Sequence, residues 1–386
     1  MHILVFPSFY PSPVRPQTGI FFKEQVAALR KAGHRVGVLV APRLWETLGH
    51  IRDERELPNL TSATHQGDNV YRMHWGWFPR VFPLICAALH GDAGFRAFDR
   101  YRRENGMPDL IHAHNTFYSG YMAVRIGRKY CLPVVLTEHS SNYLRGRIFL
   151  PGQHIVVKHT HQHIDAALAV GSRLADYLND RYAPPTPFAS IGNIVDTDFF
   201  QPAVAPVRTF TVAAVGQLKP IKRFDLLIKA FAQAFKGDNA RLVIGGRGNL
   251  QDQLAQIADA QGVQAQVELP GLLSREAVRD LFQQAHVVVS SSDVETFGIT
   301  LIEAMSCGKP VIATRSGGPQ DFVTPDVGML VATNDVDALA SALQEMYDHY
   351  NRYDAGYIRE YCLKHYGETS IVQQLEATYQ RVLTAY

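Results

Sequence analysis

In the stretch ETFGITLIE, residues 295–303, two carboxylates bracket an aromatic residue, a glycine and an apolar run. Paired carboxylates can cleave a glycosidic bond, but a retaining pair must stand about 5–5.5 Å apart. Eight residues of helix would separate Glu295 from Glu303 by ~12 Å along the axis. Even with Glu295 in a preceding turn, Glu303 lies too deep to flank the same bond. The glycine offers a different chemistry. HVVVSSS reads as a buried strand, SDVETFG as a turn, and ITLIEAMSCG as a helix closed by Gly308. The amides of Gly298, Ile299, Thr300 and Leu301 would then be the open donors of a helix N-terminus, carrying its partial positive charge. That suits an anion such as a diphosphate, and Gly298 lets the backbone come close. A glycine at a strand–helix turn also serves structure alone, so the loop by itself leaves both readings open.

A second loop repeats the form. GQLKPIKRFDLLIKA at 216–230 is strand end, Gly216, Gln217, a basic loop and a helix. Lys219, Lys222 and Arg223 crowd it, either as a solvated charge cluster or as a phosphate clamp. GGRGN at 245–249 places Gly246 and Arg247 at the next strand end, as a flexible loop fit for close approach to a base or ribose. In the first half, LIHAH puts His112 and His114 on one face of a strand. TEHSSNY brings Glu138 and His139 to the end of another. These are either structural strand-end residues or parts of a site.

Two clusters look like metal sites without their spacing. HTHQH at 159–163 could share a helix face between His159 and His163, but no Cys or carboxylate partner stands nearby at ligand spacing. The Asp-x-Asp at 196–198 falls in an apparent linker, where turn and cap roles are expected. No G-x-G-x-x-G and no G-x-x-x-x-G-K-[ST] occurs, which argues against a dinucleotide dehydrogenase and a P-loop kinase.

The elements that must position these loops alternate throughout the chain. HILVF, the helical stretch TGIFFKEQVAALRKAG and RVGVLV form one βαβ unit, with Gly33 ending the helix. LIHAH, PVVLTEH, AALAV and PFASIGN continue it. TFTVAAVG restarts the pattern, followed by RLVIGG, QVELPG, HVVVSSS and PVIATRSGG. Such alternation predicts parallel sheets covered by helices, and the restart predicts two doubly wound domains. The expected division is 1–200 and 201–367, with a last helix over about 368–386 that packs back on the first domain. Ligands would bind at the carboxyl ends of the strands, and two facing sheets would share a cleft.

Composition fits this frame. The 386 residues are 46% hydrophobic and 19% charged, as in an ordinary globular protein, and exceed one typical core. Net charge is +2, which does not suggest a nucleic-acid partner. The first 200 residues hold 22 Lys/Arg against 16 Asp/Glu, and 13 of the 16 histidines. That bias would suit an anionic acceptor or lipid headgroup, or plain surface solvation. WGWFPRVFPLICAAL, residues 75–89, is a candidate for peripheral contact with the inner membrane, or else a core helix. Four scattered cysteines, no basic leader and no apolar run of ~18 residues predict a cytoplasmic chain, possible contact with the membrane's inner face aside.

Taken in order, these stretches resemble the family-4 glycosyltransferases of the GT-B fold, nearly end to end. ETFGITLIE has the form of their E-x7-E motif, and GQLKPIKRFDLLIKA is similar to G-R-L-x-x-x-K-G-x-D-x-L-I-x-A. NIVDTDFF resembles N-G-V-D-x-x-x-F, PVIATRSGGPQDFV resembles P-V-V-A-x-x-x-G-G-x-x-E-x-V, and GMLVATNDVDALASAL resembles G-x-L-V-x-x-x-D-x-x-A-L-A-x-A-L. TGIFFKEQVAAL, DLIHAHN and VLTEHSS match family stretches as well. The resemblance implies retaining transfer of a hexose from a nucleotide diphosphate sugar to a hydroxyl of a growing bacterial glycan, free or lipid-linked. It implies no essential metal and no further cofactor. Carried over, Lys222 and the amides from Gly298 to Leu301 would hold the diphosphate, and Glu303 the ribose. Glu295 and His139 would lie beside the donor sugar, and Gly19 would open the first helix near the phosphates. Gln217 stands where the family often has Arg, so Lys219 or Arg223 would supply the missing charge. A nucleotide-sugar epimerase and a non-catalytic glycan-binding protein are the alternatives on this fold.

Overall fold

A computed structural model describes residues 1–12, 18–40, 61–65, 68–72, 83–147, 150–203 and 209–386. Residues 75–82 of the membrane-contact candidate lie outside these, and so do the side chains of 83–89. The chain divides into two compact units, Met1–Ile191 with Ile371–Tyr386, and Gly192–Ser370.

The first unit holds an eight-stranded sheet. Its strands are β1 (His2–Pro7), β2 (Arg35–Val40), β3 (Thr61–His65), β4 (Asp68–Arg72), β5 (Leu110–His114), β6 (Val134–Glu138), β7 (Ala166–Ala169) and β8 (Phe188–Ser190). Their order is β3-β4-β2-β1-β5-β6-β7-β8. All pairs are parallel except β3–β4, which pair antiparallel. The strictly parallel expectation fails there because only two residues join β3 to β4, too few for a crossover. The central strands are buried on both faces, as β1 and β5 show, which explains why they read as unbroken apolar runs. The helix Ile20–Lys31 ends in Gly33 at φ +87°, whose amide bonds Arg30 O at 2.9 Å while His34 N reaches Leu29 O at 3.1 Å. The C-terminal helix Glu368–Ala385 buries Ile371, Leu375, Tyr379 and Val382, spaced three and four apart along one face. Its Glu376 bonds His34 at 2.7 Å, and its Tyr379 bonds His112 at 2.7 Å.

The second unit holds β9 (Phe210–Val215), β10 (Ala240–Gly245), β11 (Val267–Gly271), β12 (Val287–Ser290), β13 (Val311–Thr314) and β14 (Gly328–Val331), in the order β11-β10-β9-β12-β13-β14 and wholly parallel. Its core joins Val212, Leu242, Ile244 and Ile312 of the sheet to Leu227 and Phe231 of the helix Phe224–Phe235 and Leu343 of the helix Val336–Asp348. The boundary lies before the 200/201 division expected from the sequence, because residues 192–200 are tied to this unit. Val195 N donates to Tyr366 O at 3.1 Å, Ser306 Oγ to Phe200 O at 2.7 Å, and Arg359 to Phe200 O and Thr197 O. Phe200 itself is fully buried. Among the described residues no helix is long and apolar enough to cross a membrane.

Candidate functional site

In the second unit the chain leaves β12 through Ser291 and Ser292, and the turn that follows is clamped on both sides. On one side Glu295 N donates to Ser316 O at 3.1 Å and Gly318 N to Glu295 O at 2.8 Å, a short parallel bridge. Gly318 is required: a Cβ there would stand 2.3 Å from Phe297 Cα. On the other side Asp293 N donates to Ile221 O at 2.9 Å, and Ser291 Oγ to Lys222 O at 2.8 Å. The turn ends at Gly298, whose φ of +102° caps the helix Ile299–Ser306. Leu301 N donates to Gly298 O at 2.9 Å, so Leu301 leaves the set of open donors expected from the sequence. The amides of Gly298, Ile299 and Thr300 remain, with no acceptor among the described residues. Glu303, half-buried, sits one turn further in.

Lys222 comes to this turn from the loop after β9. Pro220–Lys222 makes one turn of 3₁₀ helix, and Arg223 follows in the left-handed region at φ +49°. The Lys222 stem passes Gly216, its Cε 3.5 Å from where a Cβ would stand. Its Nζ donates to Glu295 Oε2 at 2.5 Å, with the two side chains 27% and 17% exposed. Arg223 pairs with Asp225 and Asp293, each at 3.2 Å. It is therefore committed to protein carboxylates, whereas Gln217 and Lys219 stand exposed on the same loop. GGRGN is pinned rather than loose. Gly246, at φ +158°, donates to Gly271 O at 2.7 Å, and a Cβ on it would fall 1.8 Å from Gly216 O. Leu218 N bonds Arg247 O at 3.1 Å, and Leu218 bridges Gly248. Arg247 projects from this paired backbone into solvent.

The first unit gathers neutral groups instead. His112 and His114 leave β5 on one face, their rings 4.3 Å apart, and His114 Nδ1 lies 3.0 Å from His139 Nε2. His139 is held between Phe21 and Phe22 of the helix Ile20–Lys31, at 5.3 and 5.0 Å between ring centres. That helix is opened by Gly19 at φ +77°, packed on Phe9. Burial pushes His112 and His139 down to about 3 and holds His114 well below the ordinary histidine range, so all three rings are neutral. Glu138 beside them is buried and its carboxyl is pushed up by desolvation, although it accepts from Thr116 N, Thr116 Oγ1, His139 N and Ser140 N.

Sequence reasoning missed two features here. After β5 the backbone is strained, with Asn115 at φ 70° and Tyr118 at φ 60°, ψ −72°. Asn tolerates positive φ, but a tyrosine there marks a turn held by its surroundings. The second is His161, the middle histidine of HTHQH. It is buried, hydrogen-bonds Thr116 Oγ1 at 3.0 Å and so belongs to the Glu138 network. His159 and His163 stack at 4.4 Å between ring centres, and His163 Nδ1 hydrogen-bonds His159 O at 2.7 Å. Among the described residues no group of three His, Cys, Asp or Glu is placed to hold a metal ion. In the Asp-x-Asp, Asp196 Oδ1 accepts from Phe199 N at 2.9 Å and Oδ2 from Arg275 at 3.1 Å, a turn role.

The second unit thus sets strand-end loops around an anion-receptive helix terminus at the edge of a doubly wound sheet where such folds bind ligands. The family described as "Glycosyltransferase Family 4" matches residues 18–199, and that described as "Glycosyl transferases group 1" matches 195–357. The chain belongs to the family-4 glycosyltransferases of the GT-B fold. A phosphatidylinositol N-acetylglucosaminyltransferase component of Arabidopsis thaliana is 28% identical, over 99% of this chain and 82% of that protein. D-inositol 3-phosphate glycosyltransferase 1 of Catenulispora acidiphila is 29% identical, over 73% of this chain and 74% of its own length. Among solved structures, a sucrose-phosphate synthase of Thermosynechococcus elongatus superposes with a TM-score of 0.80 at 20% identity over the whole of both chains. Anabaena HepE, solved with UDP, gives 0.77 at 18% identity, over 99% of this chain and 100% of that one.

Proposed function

We propose that the chain transfers a hexose from a nucleotide diphosphate sugar, with retention of configuration and without a metal, to a hydroxyl of a growing bacterial surface glycan. The observation that carries this reading is the Lys222–Glu295 pair, at 2.5 Å, beside a helix terminus with three open amides. A lysine and helix amides meet the leaving diphosphate most strongly once its charge has developed, so they lower the barrier as well as bind. Glu303 binds the ribose. Glu295 and His139 contact the sugar. Gly19 lets the first helix begin close to the phosphates, and Gln217, Lys219, Gly246 and Arg247 complete the donor's surroundings. Arg223 acts through Asp293, bracing the turn. The leaving phosphate takes the acceptor's proton on the same face.

A uridine nucleotide is the first donor to try, being common in this family. The test is thermal stabilisation by a panel of nucleotide diphosphates, followed by product analysis with the stabilising nucleotide's hexose. Transfer is expected to persist in EDTA; its loss, restored by magnesium or manganese, would refute metal independence. A second acceptor reading is favoured by the inositol acceptors in the names of the Arabidopsis and Catenulispora relatives. Inositol phosphates assayed beside lipid-linked glycan primers separate the two. Sugar released or epimerised without any acceptor would instead favour the epimerase alternative.

A further inference from the structure

His139 Nδ1 is buried and makes no hydrogen bond within the protein. A buried polar atom without a partner costs about 1–3 kcal/mol, so its persistence asks for a function. Whether that nitrogen offers a proton or a lone pair depends on the other end of the ring. A neutral imidazole carries one N–H, and what one nitrogen does dictates the other.

The chain of contacts behind His139 settles the direction. Gln25, buried on the helix Ile20–Lys31, points its Nε2 at His114 Nε2, 3.5 Å away, and at His112 Nδ1, 3.4 Å away. With its NH₂ on that side the Gln25 amide donates, and His114 Nε2 accepts. The His114 proton then lies on Nδ1 and is donated to His139 Nε2 at 3.0 Å. His139 Nε2 accepts, and the His139 proton is left on Nδ1. His112 closes the set from the other side. Its Nδ1 accepts from the Tyr379 hydroxyl at 2.7 Å, closer than the Gln25 amide at 3.4 Å, and its Nε2–H donates to Thr137 Oγ1 at 2.8 Å. No ring in the cluster is left with two donors facing one another.

The geometry points to Gln25 and His114 as positioning residues that fix which nitrogen of His139 carries its proton, leaving Nδ1–H to donate to a hydroxyl of the donor sugar. This rests on the proposed contact between His139 and the sugar; the relay itself stands on these distances and on burial of the rings. Burial, which keeps all three imidazoles neutral, is what makes the relay directional, since a charged ring would donate at both ends. The relay specifies a hydrogen-bond donor, not a general base.

The test is nitrogen-15 NMR of the full chain with labelled histidines, His139 being assigned from the spectrum of His139→Gln. The wild type should show His139 protonated at Nδ1. Gln25→Glu replaces a donor by an acceptor and should reverse the relay, moving the His139 proton to Nε2 and lowering kcat roughly tenfold with nucleotide affinity unchanged. Gln25→Met, an isostere with no donor, should remove the bias and populate both tautomers. A wild-type His139 protonated at Nε2 overturns the relay, and so does an Nδ1 tautomer that survives both substitutions. A tautomer that switches while kcat stays put overturns the role given to Nδ1–H, and with it the sugar contact, but leaves the relay in place.

Discussion

The two units solve the same problem, placing polar groups at the carboxyl ends of buried parallel strands, with opposite electrostatics. The second unit keeps its groups charged and partly wet: Lys222, Glu295, Arg223 and Asp293 are paired and 17–33% exposed. The first unit keeps its groups neutral and dry: His112 and His114 are fully buried. Charge acts over distance and suits a diphosphate, whose location in space matters more than its orientation. A neutral imidazole acts only along its N–H and lone-pair directions, and so suits a hydroxyl that must be oriented. The comparison therefore predicts that charge changes in the second unit act on binding and barrier together. Changes among the histidines should act on direction and on acid stability.

The largest effect is expected at Lys222. Replacing it by alanine leaves the helix amides alone against the proposed leaving diphosphate, and loss of one such donor costs about 10²–10³-fold in kcat. Steady-state kinetics checks this. A Lys222→Ala enzyme with near-normal kcat would break the view that the second unit works by charge. Next is Glu303→Gln, which exchanges a carboxylate for an amide at the proposed ribose contact. A charge-assisted hydrogen bond is worth about 1.5–3 kcal/mol, so calorimetry with the free nucleotide diphosphate should show affinity falling roughly 10- to 150-fold. Because that contact is made equally in ground and transition states, kcat should move little.

Acidification tests the first unit. Burial lowers His112, His139 and His161 from 6.5 to about 3. Between those values the unfolded chain takes up protons that the folded chain refuses. Stability should therefore fall as pH drops below about 6.5 toward 3. Glu138, pushed up by burial, works in the opposite sense as a single group. Thermal unfolding measured between pH 7 and 4 should show the loss. A flat profile would mean that these rings charge without penalty, and the neutral half of the comparison would fail.

The same contrast explains what could be read from the sequence. The second unit's turn was legible because its determinants are contiguous: ETFGITLIE carries the turn, the positive-φ glycine, the helix and both acids in nine residues. The Lys222–Glu295 pair was not legible, since 73 residues separate its members. In the first unit, Gln25, His114 and His139 lie on separate elements, and Tyr379 bonds His112 across 267 residues. No local periodicity encodes such contacts. The open helix amides were overcounted because the sequence does not show Leu301 N turning back to Gly298 O. The glycines of GGRGN signalled flexibility, yet three backbone bonds around Gly246, Leu218 and Gly216 fix that loop. Glycine there admits a neighbouring backbone, which looks the same in sequence as freedom.

The smallest predicted effect is the most discriminating, because its sign separates charge from contact. Lys222 spends its ammonium on Glu295, at 2.5 Å. An arriving diphosphate must draw that ammonium away or share it, and it meets a carboxylate in the process. Glu295→Gln removes the competing charge while keeping the shape. Nucleotide diphosphate binding should therefore tighten, by the worth of a partly exposed ion pair, about 0.2–1 kcal/mol or roughly 1.4- to 5-fold. The gain should shrink as salt is added. Turnover on the full sugar donor should fall at the same time, because the proposed contact to the reacting sugar is lost as its positive charge develops. Calorimetry at two ionic strengths, with kinetics on the same variant, gives both numbers. Weaker nucleotide binding in Glu295→Gln would mean that the carboxylate orients Lys222 for the phosphate rather than competing for it. The second unit would then rely on direction as the first does, and the contrast between them would not hold.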